Sequence, residues 1–141
     1  MGTTQALSST ARAYGEQLLA SLGAQPLRAL SGVDEHPALS WAKSGLMELT
    51  GRADGTPQMC PIPLAACADG ALAALASLAA PGVLGDLRGS QLLSERAAMA
   101  GLQRSGAISA GGSCHLLAAA DGSIALNLAR EDDWALLPAW L

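Results

Sequence analysis

The chain has 141 residues, a formal net charge of -4 and a composition that is half hydrophobic yet only 3% aromatic, with no phenylalanine. That length predicts one domain with a core of leucine and alanine, whose small side chains bury little area each, so further burial at a subunit interface is expected. Scattered basic residues offer no track for a phosphate backbone and speak against nucleic acid. Cys60, Cys67 and Cys114 lack Cys-x-x-Cys spacing, and with only two histidines they point to reduced thiols in a cytoplasmic protein without a zinc site.

In chain order, MGTTQALSST is polar and has no signal-peptide pattern, and Ala6 stands where a myristoylation motif wants Ser or Thr. From about Thr10 to Leu22 an amphipathic helix is predicted, with Tyr14, Leu18 and Leu22 on its apolar face and Gly23 ending it. Pro26 and the lack of β-branched residues weaken the strand that would follow, and no Gly-x-Gly-x-x-Gly or Walker loop occurs. Pro37 suits a first helical turn, and Leu39, Ala42, Leu46 and Leu49 then recur at helical steps up to Gly51. Asp54-Gly55 with Pro57 is turn chemistry and predicts an ordered, surface-facing loop.

Leu64 to Ala80 is apolar almost all round, short for a membrane span and dominated by alanine, which predicts a buried helix. It carries one acid, Asp69. A carboxylate in such a setting is costly to ionise without partners, which makes a reactive role possible; the other reading places it near the helix start, facing the loop, where the helix dipole favours it. Pro81 to Gly89 reads as a loop. Ser90 is predicted to cap a helix to about Arg104, with Leu92, Leu93, Ala97, Ala100 and Leu102 apolar and Glu95 and Arg96 in solvent. SGAISAGG is a connection, and Ser113–Ala118 and Ile124–Leu128 form a β-hairpin around Asp121-Gly122. Strand alternation sends Cys114 and His115 to opposite faces, a poor nucleophile and base pair. Glu131-Asp132-Asp133 opens a last helix, and WALLPAWL is expected to dock on the core or on a second subunit. The fold class expected is α/β and helix-dominated, a single domain over 1–141. Its parts are helices over 1–80, a connection with one helix over 81–112, and the hairpin with a C-terminal helix over 113–141.

SGLMELTGRADGTP, followed by an Ala-rich helix with Asp-Gly near its start, resembles the family III CoA-transferases, the formyl-CoA transferase, carnitine CoA-transferase and α-methylacyl-CoA racemase group. GGSCHLLAAADGSIALNLAREDDWALLPAWL is similar to the family's hairpin and following helix, so the resemblance covers over half of the chain. It implies a partial fold of that family, a coenzyme A thioester as substrate, a small acyl compound as partner, and a homodimer or complementary subunit; composition and the short, interrupted apolar run add the expectation of no metal and no membrane. Family members are several times longer and close an interlocked dimer, so this chain reads as a shortened or degenerate relative.

In the family a helical aspartate forms acyl anhydride and thioester intermediates. With the family's glycine laid on Gly70, that aspartate falls on Ala66, and Asp69 follows three residues later on a similar face. His36, Ala42, Ser44 and Gly45 keep the H-x5-A-x-S-G spacing of the racemases' catalytic histidine, although Pro37 stands where the family has an aspartate. The other reading of His36 is an exposed residue beside a helix start. Thr50, Gly51 and Arg52, in the loop that runs to Pro57, are the residues expected to meet the pantetheine or phosphate end. Two functions follow. Either Asp69 and His36 serve an enzyme, by acyl transfer or by exchange of an α-proton, or the chain is a non-catalytic partner subunit or acyl-group binder, as Ala66 at the acid position argues.

Overall fold

Serine, glycine and proline set the limits of the helices. In the computed structural model, which describes residues 7–27 and 35–139, the first helix, α1, spans Ser9–Ser21. The Ser8 side chain accepts a hydrogen bond from the Ala11 N–H at its start, and Gly23, at φ 65°, closes its end. There Gly23 N–H bonds to Ala20 O and Ala24 N–H to Leu19 O, the pair of bonds by which a left-handed glycine satisfies the last carbonyls of a helix. Helix α2 spans Pro37–Lys43 with the proline in its first turn, and a short 3-10 turn at Leu46–Glu48 follows. Helix α3 spans Leu64–Leu78, α4 Gly89–Met99 and α5 Glu131–Leu136. Strands β1 (Cys114–Ala119) and β2 (Gly122–Asn127) pair antiparallel, with Ala119 opposite Gly122 and Cys114 opposite Asn127. The described residues are thus helix-dominated α/β, with five α-helices and a two-stranded sheet.

The chain forms two compact units. The first draws on residues up to Met47 and on Met59–Arg96, the second on Glu48–Gln58 and on residues from Ala97 onward. In the first, α1 crosses α3 at its glycines. A Cβ on Gly70 would stand 2.0 Å from the Ala11 carbonyl oxygen, and one on Gly15 would stand 2.7 Å from the Gly70 carbonyl oxygen. Backbone therefore meets backbone, and the face of α1 that is buried is Ala11, Gly15 and Leu19. Tyr14 and Leu22, expected on the inner face, are exposed, because a contact this close selects the smallest side chains and turns the larger ones outward. The start of α4 is equally close to α3, since a Cβ on Gly89 would lie 2.0 Å from the Ala68 carbonyl oxygen. Trp41 and Leu46 fill the remaining core, whereas Leu39, predicted to face inward, is exposed. Ser44 is buried with its hydroxyl donating to Trp41 O, and its own carbonyl accepts from the Ser94 hydroxyl.

The second unit is organised around polar contacts. Helix α4 stops at Met99, short of the Arg104 expected from the sequence, because Gly101 at φ 65° terminates it with Gly101 N–H on Ala98 O and Leu102 N–H on Ala97 O. Arg104 then sends its backbone N–H to Glu48 O, its Nε to Arg52 O at 2.9 Å and a terminal nitrogen to Gly55 O at 3.5 Å. The turn at 52–55 forms as its Asp54-Gly55 chemistry predicts, with Gly51 bridged to Pro57. Within the two strands only Cys114, His115 and Leu126 are half-buried, while Ile124 is 54% exposed. Trp134 is half-buried and meets the His115 ring at 4.2 Å between centroids, and Asp133 accepts from the Arg130 N–H that opens α5. The expected docking of Trp140 and the start at Met1–Ala6 lie outside the described residues.

Candidate functional site

A lone acid inside an apolar helix needs somewhere to put its charge, and α4 supplies it. Asp69 sits on α3, half-buried, and its Oδ1 accepts from the Ser90 N–H in the first turn of α4 at 2.7 Å. The exposed N–H groups of a helix start favour a carboxylate there. The dipole that holds Asp69 therefore belongs to a neighbouring helix, not to its own. Gly89 makes this possible, because any side chain at that position would push α4 off the Ala68–Asp69 backbone. Asp69 also takes the role expected of Ser90, whose side chain lies inside the helix it was predicted to cap. Among the described residues no other hydrogen bond reaches the carboxylate, which leaves Oδ2 available.

Asp69 lines a cavity of about 480 Å³ within the first unit. This is the size of a small-molecule site, for which about 300–1,000 Å³ is usual. The first turn of α1 contributes Ser8, Ser9 and Thr10, and α2 contributes Pro37, Ser40 and Trp41. Cys60, Pro63 and Ala65 come from the segment entering α3 and from its first turn, and Ala66 is there as well. The helical spacing between Ala66 and Asp69 thus carries both residues to one space, as their three-residue separation predicts. Four charged groups share the lining: Glu35, Lys43, Asp69 and Arg88. Lys43 is ion-paired with Glu35.

His36 occupies a different place. It is exposed, its Nδ1 accepts from the Ala38 N–H at 3.2 Å as the cap of α2, and Glu35 and Pro37 on either side line the cavity while its ring does not. Thr50, Gly51 and Arg52 belong to the second unit, where they shape the turn. The Thr50 hydroxyl donates to Gln58 O, Gly51 takes φ 104°, and the exposed Arg52 side chain lies 3.5 Å from Asp54.

The sequence pattern singled out Asp69 but not its companions. Lys43 and Glu35 meet across eight residues, a spacing with no helical signature, and Arg88 lies in the Pro81–Gly89 stretch that reads as a loop. Cys60, Cys67 and Cys114 are free and half-buried, and among the described residues no three His, Cys, Asp or Glu side chains converge as a metal ion would require. No described helix is long and apolar enough to cross a membrane. Comparison with protein-family models, with curated proteins and with solved structures finds no match to this chain.

Proposed function

We propose that the chain is a family III CoA-transferase-like protein, with the partial fold of that family, that moves an acyl group from a coenzyme A thioester through Asp69. The observation that carries the reading is a carboxylate on the wall of a small-molecule cavity with one oxygen fixed by the Ser90 N–H and the other free of hydrogen bonds among the described residues. A nucleophile held by one oxygen keeps its orientation while the other attacks.

In this reading Oδ2 attacks the thioester carbonyl, a C–O bond forms, the C–S bond breaks and coenzyme A leaves as thiolate, giving an acyl-aspartyl anhydride. The thiolate then attacks the aspartyl carbonyl and expels the donor carboxylate, which makes an aspartyl-CoA thioester. An acceptor carboxylate runs the two exchanges in reverse and restores Asp69. Each step trades a carboxylate for a thiolate, so electrons and protons balance. Exchange of an α-proton would require His36 and Asp69 to reach one carbon, and because the His36 ring caps α2 outside the cavity lining, transfer is the branch favoured. The protein works as a cytoplasmic homodimer in this reading.

The second reading is an acyl-group-binding partner subunit, favoured by Ala66 on the cavity wall where the family has its aspartate. Incubation with a panel of acyl-CoAs followed by peptide mass spectrometry separates the two. Transfer predicts an acyl or coenzyme A adduct on the Asp69 peptide that Asp69→Asn removes without unfolding the chain. Thioester binding with no adduct leaves the partner-subunit reading in its place.

A further inference from the structure

The lining of the Asp69 cavity mixes two chemistries, and together they specify a ligand. Met59, Ile62 and Leu64 line it while standing 46%, 60% and 37% exposed. Large apolar side chains left open on a cavity are stabilised when an apolar ligand covers them. The two cations on the same lining are not equivalent. Lys43 is already neutralised by Glu35, whereas Arg88 is exposed and its guanidinium has no partner among the described residues. Arg88 comes two residues before Ser90, whose N–H holds Asp69, and its carbonyl closes the first turn of α4. Arg88 and Asp69 both line the cavity, so an anion paired with Arg88 stays within the same space as the carboxylate, with the guanidinium as its countercharge.

We propose that this cavity binds an apolar monocarboxylate, a straight-chain fatty-type acid anion, with its carboxylate on Arg88 and its chain against Met59, Ile62 and Leu64. The role of this acid rests on the transferase reading, in which it is the acyl acceptor. A dicarboxylate fits less well: with Lys43 paired to Glu35, the lining offers its second charge no unpaired cation, only the neutral hydroxyls of Ser8, Ser9, Thr10 and Ser40 and the apolar side chains.

Calorimetric titration of the full chain with octanoate and with succinate, no thioester present, tests the site. Octanoate is expected to saturate one site at least about tenfold more tightly than succinate, and Arg88→Gln and Ile62→Asn are each expected to weaken it by about tenfold. Both positions are exposed, so the variants keep the fold, which circular dichroism checks. Succinate binding as tightly as octanoate, or either variant binding octanoate as the parent does, overturns the proposal. The outcomes separate from those of the transferase test. Octanoate binding with these dependences in a protein that never labels Asp69 keeps the acid site and removes the transferase, and labelling of Asp69 without octanoate binding does the reverse.

Discussion

Every buried apolar side chain among the described residues belongs to the helical unit: Leu7, Ala11, Leu19, Trp41, Leu46, Ala65 and Ala74. The unit that contains the hairpin has none, and a single arginine there donates to three backbone carbonyls of the 48–55 segment, those of Glu48, Arg52 and Gly55. With few large side chains to bury, the chain has used two different substitutes. The helical unit removes side chains altogether at Gly15, Gly70 and Gly89, so that helices meet at their backbones and gain dense contact from small groups. The hairpin unit replaces packing with charge-assisted hydrogen bonds from Arg104, which hold a turn in place but bury little. Precision is therefore concentrated in the helical unit, and the cavity with its oriented carboxylate is in that unit.

The sharpest way to break this contrast is to restore a side chain at the helix crossing. Gly70→Ala puts a methyl 2.0 Å from the Ala11 carbonyl oxygen, where neither partner is a flexible side chain, and α1 and α3 must separate. Overpacking of this kind costs about 3 kcal/mol. Thermal unfolding should show it as the largest loss of any single substitution considered for this chain. Gly23→Ala is its control, since nothing lies within 4 Å of the added methyl and only the left-handed φ of 65° is strained, a cost of about 1 kcal/mol. Equal losses at the two positions would mean that backbone proximity is not what joins the helices.

Arg104→Ala is the matching experiment in the hairpin unit. It removes two hydrogen bonds from a guanidinium to backbone carbonyls, worth about 2 kcal/mol locally. The ion pair to Glu48, at 3.9 Å with the carboxylate mostly exposed, adds little to this. Hydrogen exchange at the Gly55 and Gly106 amides reports the outcome, with faster exchange expected at both. Unchanged protection would show that the turn holds itself through the Gly51 and Pro57 bridge alone.

The same contrast explains what the sequence disclosed. Some limits were legible, since Gly23 ends α1, Pro37 opens α2 and the hairpin forms where strands were expected, but the left-handed Gly45 and Gly101 end α2 and α4 before the Gly51 and Arg104 that apolar spacing indicated. Helix faces were not, because reading apolar periodicity assumes that the largest apolar residues point inward. In α1 the contact is too close for that, and Tyr14 and Leu22 lost the inner face to Ala11 and Gly15. Asp69 stood out as an acid among alanines, but its partner lies 21 residues away and is a backbone amide, which carries no side-chain signature at all. Arg104 was hidden for the same reason, since its targets are carbonyls, and an arginine near the end of an apolar run looks like a helix C-terminus.

The smallest effect expected is also the one that bears most on the chemistry. His36→Ala removes an imidazole that accepts one hydrogen bond from Ala38 at the exposed start of α2, a capping contribution of about 0.5 kcal/mol. Its melting temperature should fall slightly, and acyl labelling of Asp69 should proceed as in the parent chain, because the ring is not part of the cavity lining. Asp69→Asn, by contrast, should abolish the label, since the neutral amide has no nucleophilic oxygen to offer the thioester. If the histidine variant loses the label as completely while keeping its fold, then the two residues act on one carbonyl compound after all. The proton-exchange branch would then displace transfer as the reading of the site.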